Sequence, residues 1–264
     1  MKIGFIGAGN MGSAIIEGIL KAKLVSPPDI TVADKSETAL QNLRSSYLVV
    51  MGDNKTAAQS DMVFLCVKPQ VLYDVIADIK DTVTENTVIV SIAAGQPIGA
   101  IEDAFGKKIK LIRVMPNTPA LVGEGMAALS PNANVADEDI KAAQDIFNSL
   151  GRAEVVPEHL MDAVTAVSGS SPAYVFMFIE AMADAAVQGG MPRAQAYTFA
   201  AQAVLGSAKM VLETGRHPAD LKDMVCSPAG TTIDAVYELE KNGFRSAVIE
   251  AMKSCIEKSK ELGK

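Results

Sequence analysis

Short apolar runs alternate with segments of helical periodicity along the first 160 residues. The runs lie at residues 3–6, 30–33, 62–67, 88–92 and 110–114, and a further run at 153–156 follows a helical segment at 137–150. Runs of this length separated by helices are typical of βαβ units. The run at 62–67 is apolar at every position, as expected for a strand covered by helices on both faces. The pattern predicts an α/β domain at residues 1–160, built on a doubly wound parallel sheet.

Beyond residue 160 the strands stop, and Ala- and Met-rich helical segments follow at 172–188, 193–214, 232–241 and 245–262. Many positions in these segments are apolar around most of the helix circumference, so the helices must be covered on more than one side. About 100 residues are few for hiding such helices within one chain, which favours pairing with a second chain. We therefore predict an all-α C-terminal domain at residues 161–264.

A glycine pattern follows the first apolar run directly. Gly7, Gly9 and Gly12 have the spacing G-x-G-x-x-G. In a strand, turn and helix that bind a dinucleotide, the first glycine permits the tight turn, the second admits a pyrophosphate, and the third lets the helix lie close to its strand. Because a βαβ unit follows, the pattern predicts a Rossmann-type nucleotide site, although a strand-turn-helix without a ligand has the same glycines.

Three residues at the end of the second predicted strand bear on which dinucleotide would bind. Asp34 lies 22 residues beyond Gly12, near the spacing of the carboxylate that accepts a hydrogen bond from a ribose 2′-hydroxyl, as in NAD(H) sites. Lys35 and Ser36 would instead suit the 2′-phosphate of NADP(H). The residues alone leave both cofactors open.

Loops follow the third, fourth and fifth predicted strands, at the edge where a doubly wound sheet binds its ligands. They contain Lys68 with Pro69, Ala93 with Ala94, and Asn117. Each loop by itself is equally well explained as a plain chain turn. Together they would form a wall beside the nicotinamide end of a bound dinucleotide.

In the helical region, two loops carry hydroxyl groups just before a predicted helix. They include Ser170 and Ser171 in the first loop, and Thr231 and Thr232 in the second. Hydroxyls and unpaired N–H groups at a helix start bind carboxylates well, although plain N-capping would use the same residues. We interpret the two loops as receptors for an anionic small molecule.

The composition of the chain limits which classes of partner and which compartment are expected. The chain has 24 Lys and Arg against 31 Asp and Glu, a formal net charge of −7, and 49% hydrophobic residues. An acidic, core-forming chain favours neither nucleic acid nor an anionic membrane as its partner. Three widely spaced cysteines provide no disulfide framework and no paired metal motif, so we expect a cytoplasmic protein without a metal.

No strong catalytic acid, base or nucleophile stands out. His159 and His217 are the only histidines, and both fall in predicted surface connections, whereas Cys66 ends an apolar strand. Hydride transfer needs none of these if a cofactor supplies the reductant and the protein supplies orientation. The chemistry therefore points to an acceptor that is already activated.

Six stretches carry a resemblance to a known family. They lie at residues 3–12, 67–69, 91–95, 115–119, 167–174 and 221–232, and the last two are far more specific than the glycine pattern. On these stretches the chain resembles the pyrroline-5-carboxylate reductases over nearly its whole length. The resemblance implies that a nicotinamide cofactor, preferably NADP(H) with NAD(H) also accepted, delivers hydride to the imine of Δ1-pyrroline-5-carboxylate and gives L-proline. It also implies a homodimer formed by the helical domains, which assembles further into a decamer.

The resemblance also assigns roles to residues. Thr232 would be the catalytic residue that hydrogen-bonds the ring nitrogen, while Gly230 and Thr231, with Ser170 and Ser171, would hold the substrate carboxylate. The residues predicted to contact the cofactor are Gly7, Ala8, Gly9, Asn10, Met11, Gly12, Asp34, Lys35, Ser36, Asn54, Val67, Lys68, Pro69, Ala93, Ala94 and Asn117. One departure concerns Ala229, where the family often has glycine, because its methyl group would be strained if φ is positive there.

Two other functions use similar features. A β-hydroxyacid dehydrogenase also joins a nucleotide fingerprint to a helical domain, but it needs a catalytic lysine, for which Lys209 is the nearest candidate and lacks the expected glycine-rich lead-in. A non-catalytic dinucleotide sensor would keep the nucleotide site and use the helices only for partners.

Overall fold

The computed structural model describes residues 1–263. Its strands are β1 (Ile3–Ile6), β2 (Ile30–Ala33), β3 (Val50–Met51), β4 (Met62–Leu65), β5 (Val88–Ser91), β6 (Lys110–Met115), β7 (Gly125–Pro131) and β8 (Gly151–Val155). They form one sheet in the order β3-β2-β1-β4-β5-β6-β7-β8. β2 and β3 therefore extend the sheet on one side of β1, and β4 to β8 extend it on the other side.

The helices are α1 (Asn10–Lys21), α2 (Glu37–Tyr47), α3 (Asn54–Ala58), α4 (Pro69–Ile79), α5 (Ile98–Phe105), α6 (Asp137–Asn148), α7 (Met161–Val164), α8 (Ser171–Gln188), α9 (Arg193–Thr214), α10 (Pro218–Val225), α11 (Thr231–Lys241) and α12 (Phe244–Leu262). A π-helical turn, Thr165–Gly169, lies between α7 and α8.

The central strands are buried on both faces because successive side chains point to opposite sides of the sheet. Phe5 in β1 pairs with Phe64 in β4, and their rings stack with centroids 4.7 Å apart in the core on one face. Ile6 and Leu65, one position further along, belong to the core on the opposite face. Helices thus cover both faces, and the carboxyl ends of the strands are left at one edge.

The predicted fold class, a doubly wound parallel α/β sheet followed by an all-α region, is confirmed, and the sheet is parallel except at one strand pair. β7 runs antiparallel to β6, and β8 is parallel to β7. β3, β7 and α10 were not among the elements predicted from the sequence. β3 has only two residues, and β7 consists largely of small residues without a marked apolar alternation.

The chain forms two compact units. The first comprises Met1–Ser170 together with the C-terminal stretch that begins at Cys255, and the second is Ser171–Ser254. The part of α12 from Cys255 onward therefore belongs to the same unit as the sheet. The domain boundary between residues 160 and 161 stays a prediction.

The second unit exposes an unusual amount of apolar surface. Its buried hydrophobic residues are only Ala183, Ala196, Ala200 and Leu221. Large side chains such as Phe176, Met177, Phe199 and Tyr237 are more than 60% exposed in the single chain. Monomeric proteins rarely leave so many large apolar groups in water, so these helices need a partner surface.

Candidate nucleotide and substrate sites

The three glycines after β1 differ in whether the fold itself requires a residue without a side chain. Gly7 has φ +105°, and a Cβ there would collide with the carbonyl oxygen of Cys66. A Cβ at Gly12 would collide with the carbonyl oxygen of Gly7, so the helix lies directly against the turn. By contrast, a Cβ at Gly9 would meet no atom within 4 Å. The turn therefore requires glycine at positions 7 and 12, whereas the space at Gly9 is open to a ligand.

Helix α1 starts at this open position. Gly9 is its N-cap and supplies no side-chain hydrogen bond. The first N–H groups of a helix have no partner within the helix, and together with the helix dipole they favour an anion. Backbone N–H groups and open space thus occur at the same place, which suits a pyrophosphate.

A groove of about 480 Å³ lies at the carboxyl ends of β1, β2 and β4. This is the point where the strand order reverses, because β2 lies on one side of β1 and β4 on the other. In open α/β sheets, ligands bind in the crevice at such a switch point. The groove is lined by Ile6, Gly7, Gly9, Ala33, Asp34, Lys35, Asn54, Cys66, Val67, Lys68, Val71 and Val75.

Seven of the predicted cofactor residues line this groove, namely Gly7, Gly9, Asp34, Lys35, Asn54, Val67 and Lys68. Ala8 and Asn10 line a second groove of about 490 Å³, which also includes Gly9. Neither groove includes Met11, Gly12, Ser36, Pro69, Ala93, Ala94 or Asn117. Val71 and Val75 also line the groove and were not predicted, although their spacing on α4 places them on one helix face.

Asp34 has a more specific position than its spacing suggested. Its Oδ2 accepts a hydrogen bond from the backbone N–H of Ala8 at 2.5 Å, and its Oδ1 accepts one from the backbone N–H of Ser36 at 2.7 Å. Each carboxylate oxygen therefore accepts a hydrogen bond from a backbone N–H group, one in the glycine turn and one just after β2. The next side chain, Lys35, is exposed and lines the groove.

Two other groove residues, Asn54 and Lys68, lie at the starts of helices. Asn54 begins α3, and its Nδ2 donates to Oδ2 of Asp78 at 3.0 Å. Lys68 is the N-cap of α4, and Pro69 occupies the first helical position, where its missing N–H costs nothing. Desolvation raises the pKa of the Cys66 thiol, so this side chain stays protonated and unreactive at neutral pH.

The loop after β5, which carries Ala93 and Ala94, is fixed by polar contacts of the residues that follow it, up to the start of α5. Tyr73 of α4 donates its hydroxyl to Oε1 of Gln96 at 2.5 Å. Glu158 Oε1 accepts from the backbone N–H of Ile98 at 2.7 Å and from Arg113 at 3.0 Å. Ala93 is buried, whereas Ala94 is exposed. The loop therefore presents one small residue to solvent from a fixed backbone.

In the second unit, the loop before α11 has the geometry of a helix start. Gly230 is the N-cap of α11, and a Cβ there would collide with Oγ of Ser227. Thr231 is exposed and Thr232 half-buried in the first turn. Ala229 has φ +55°, the left-handed conformation in which its methyl group is strained. Ser170 ends the first unit and Ser171 begins the second, at the start of α8.

Two negative findings concern the described residues. Within residues 1–263, no three His, Cys, Asp or Glu side chains lie close enough together to hold a metal ion. None of the described helices has the length and apolar character needed to cross a membrane.

The fold and the groove define the class: a dinucleotide-binding α/β protein of the reductase and dehydrogenase type. Residues 2–95 match a family model described as NADP oxidoreductase, coenzyme F420-dependent, and residues 158–262 match one described as pyrroline-5-carboxylate reductase dimerisation. The pyrroline-5-carboxylate reductase of Escherichia coli (strain K12) is 53% identical, over 100% of this chain and 98% of the relative.

Solved structures agree with these matches. A pyrroline-5-carboxylate reductase from Coxiella burnetii has a TM-score of 0.95 at 34% identity, covering 100% of this chain and 98% of that one. The pyrroline carboxylate reductase of Plasmodium falciparum, solved with NADP bound, has a TM-score of 0.89 at 36% identity with the same coverage. The chain belongs to the pyrroline-5-carboxylate reductase family.

Proposed function

We propose that this protein reduces Δ1-pyrroline-5-carboxylate to L-proline, with NADP(H) as the preferred cofactor and NAD(H) also accepted. The observation that carries the proposal is the 53% identity, over the whole chain, to a relative named for this activity. The groove at the switch point of the sheet supports it, because a reductase of this kind needs a site for a dinucleotide.

The residues of the groove fit such a cofactor. The open space at Gly9 and the first N–H groups of α1 would hold the pyrophosphate, and Asn54 would lie near the adenosine half. Val67, Lys68, Pro69, Ala93 and Ala94 would line the remainder of the dinucleotide. When bound, the reduced cofactor supplies the hydride, while the protein fixes its orientation and excludes water.

The preference for NADP(H) rests on the residues after β2. Because both oxygens of Asp34 already accept backbone hydrogen bonds, the carboxylate is less available to a ribose 2′-hydroxyl. The exposed Lys35 offers a positive charge at the groove, and Ser36 offers a hydroxyl, as a 2′-phosphate requires.

For the substrate, we propose that Thr232 hydrogen-bonds the ring nitrogen. Gly230 and Thr231, with Ser170 and Ser171, would hold the carboxylate through backbone N–H groups and hydroxyls. A protonated imine is already electrophilic, so these residues need only bind and orient it. This accounts for the lack of an obvious general acid.

The assembly and compartment belong to the same proposal. Residues 161–264 would be the substrate-binding and dimerisation domain, the exposed apolar side chains of α8, α9 and α11 would be covered in a homodimer, and dimers would assemble into a decamer in the cytoplasm. Light scattering on the purified protein should give a mass of at least two chains, and a monomer at micromolar concentration would contradict the dimer.

The test is the oxidation of NADPH and of NADH with and without Δ1-pyrroline-5-carboxylate. We expect substrate-dependent oxidation of both, with the higher kcat/KM for NADPH. Tight NADPH binding without turnover would favour a dinucleotide sensor, and oxidation of 3-hydroxy acids would favour a β-hydroxyacid dehydrogenase. Either result would overturn the proposal.

A further inference from the structure

Asn117 uses its side chain in a way that its position does not explain. It is the N-cap of the 3₁₀ turn Thr118–Val122, but its side chain makes no capping hydrogen bond there. Instead, Oδ1 accepts from the backbone N–H of Met126 at 2.8 Å, and Nδ2 donates to the carbonyl oxygen of Ser168 at 3.0 Å. Both ends of a buried amide are thus occupied by backbone of the same compact unit.

The carbonyl of Ser168 needs a donor from outside the helix because of the proline four residues later. In a continuous helix it would accept from the N–H of residue 172, which is a proline and has none. The chain passes from the π-helical turn Thr165–Gly169 into α8 at this point, and Ser170 N–H bonds to the Thr165 carbonyl instead, at 2.8 Å. A half-buried carbonyl without a partner is costly, so Asn117 stabilises this irregular backbone.

The same segment, and α7 just before it, contact two other parts of their unit, α12 and the end of β6. Ser170 Oγ and Cys255 Sγ lie 3.3 Å apart, and Ser259 Oγ donates to Oδ1 of Asp162 at 2.7 Å. A Cβ at Gly169 would lie only 2.5 Å from Cε of Met115, so the end of β6 packs closely against the turn. Residues 168–170 therefore have little freedom while Asn117 is in place.

We infer that Asn117 is a positioning residue for the Ser168–Ser170 backbone, and through it for substrate binding, rather than a ligand of the cofactor. The inference rests on the proposed function, in which Ser170 helps to hold the substrate carboxylate. The sequence suggested that Asn117 binds the cofactor, whereas this inference gives it a role in binding the substrate.

Asn117→Asp tests this most sharply, because it keeps the acceptor for Met126 and replaces only the donor to Ser168. We expect the KM for the imine to rise about tenfold, the size expected for one lost buried hydrogen bond, while the Kd for NADPH from fluorescence titration changes less than twofold. Hydrogen exchange of the amides at 165–170 should become faster. Asn117→Ala should act in the same direction and serves as a second variant if the aspartate prevents folding.

Asn132→Ala is the control, compared with Asn117→Ala. Asn132 is also a bridging amide: its Oδ1 accepts from Leu111 N–H at 3.2 Å, and its Nδ2 donates to Ile109 O at 3.0 Å and to Glu102 Oε1 at 2.7 Å, away from the π-helical turn. Alanine avoids placing a second carboxylate beside Glu102. This variant should lower stability without changing either the imine KM or the NADPH Kd.

A weakened NADPH Kd with an unchanged imine KM would make Asn117 a cofactor ligand and overturn the inference. A lower melting temperature with both constants unchanged would overturn it too, because the residue would then be purely structural. If wild type does not reduce the imine, the proposed function fails. If wild type does and Asn117→Asp keeps its imine KM, only the inference about Asn117 fails.

Discussion

Asp34 offers the sharpest test of how the nucleotide site is built. Asp34→Ala removes the acceptor of two backbone hydrogen bonds, from Ala8 at 2.5 Å and Ser36 at 2.7 Å. Hydrogen bonds to charged groups contribute roughly 1.5–3 kcal/mol each. The contact with Ser36 is exposed, so water replaces much of it, whereas Ala8 is buried. We therefore expect a loss of about 2 kcal/mol in the free energy of unfolding, dominated by Ala8.

A loss of this size should lower the melting temperature by roughly 4–8 °C, at about 2–4 °C for each kcal/mol in a chain of this length. The glycine turn would loosen, so the KM values for NADPH and NADH should rise by similar factors. Steady-state kinetics with both cofactors and a thermal melt would measure this.

Asp61→Ala is the control for this variant. Asp61 Oδ2 also accepts from a backbone N–H, that of Lys2 at 2.7 Å, but at the opposite end of β1. It should lower stability slightly and leave both KM values unchanged. If Asp34→Ala impairs NADH alone and leaves NADPH unchanged or improved, Asp34 acts as a ligand of the 2′-hydroxyl, and our reasoning about the turn is wrong.

Three further predictions concern other parts of the chain. Ala229→Gly should raise the free energy of unfolding by about 1 kcal/mol, because the strain relieved at φ +55° exceeds the stabilisation of the unfolded chain by the extra conformational entropy of glycine. It should also lower the imine KM. Leu48→Gly, at φ +58°, should stabilise similarly without changing kinetics, and equal kinetic effects in both would contradict a role for the loop before α11. Because desolvation raises the pKa of Cys66 above its ordinary value of 9.0, its contribution to stability is complete below that pH and is lost as the pH rises through the folded-state pKa. Urea melts should therefore weaken above pH 9 more steeply in wild type than in Cys66→Ala, and identical slopes would refute this. Thr232→Ala should lower kcat about tenfold without changing the NADPH Kd, and unchanged turnover would remove Thr232 from the mechanism.

The sequence predicted the central strands well, because their buried apolar runs leave few alternatives. β1 and β2 lie at the predicted residues, and β4 and β5 end one or two residues earlier than predicted. The antiparallel turn into β7 carries no such signal, since Gly125–Pro131 is mostly small residues that fit a loop equally well. Fold class follows from apolar patterning, whereas the direction of an edge strand depends on pairing that the pattern does not encode.

The candidate site shows the same division. The glycine spacing and the position of Asp34 could be read from the chain, and Ala229 was recognised as a departure that matters when φ is positive. The hydrogen-bond partners could not be predicted from the sequence. Asp34 bonds to Ala8, and Asn117 bonds to Ser168, which is 51 residues away. Such hydrogen bonds depend on which strand ends and turns become neighbours, so only the folded structure reveals them.

Hydride transfer from the cofactor to a cyclic imine can be followed with an isotope label. NADPH carrying deuterium at the transferable C4 position would be incubated with the protein and Δ1-pyrroline-5-carboxylate, and the product examined by NMR and mass spectrometry. We expect L-proline with a single deuterium at C5, formed in equal amount to the NADPH oxidised. Proline without deuterium at C5, or no proline while the protein still binds NADPH, would contradict it.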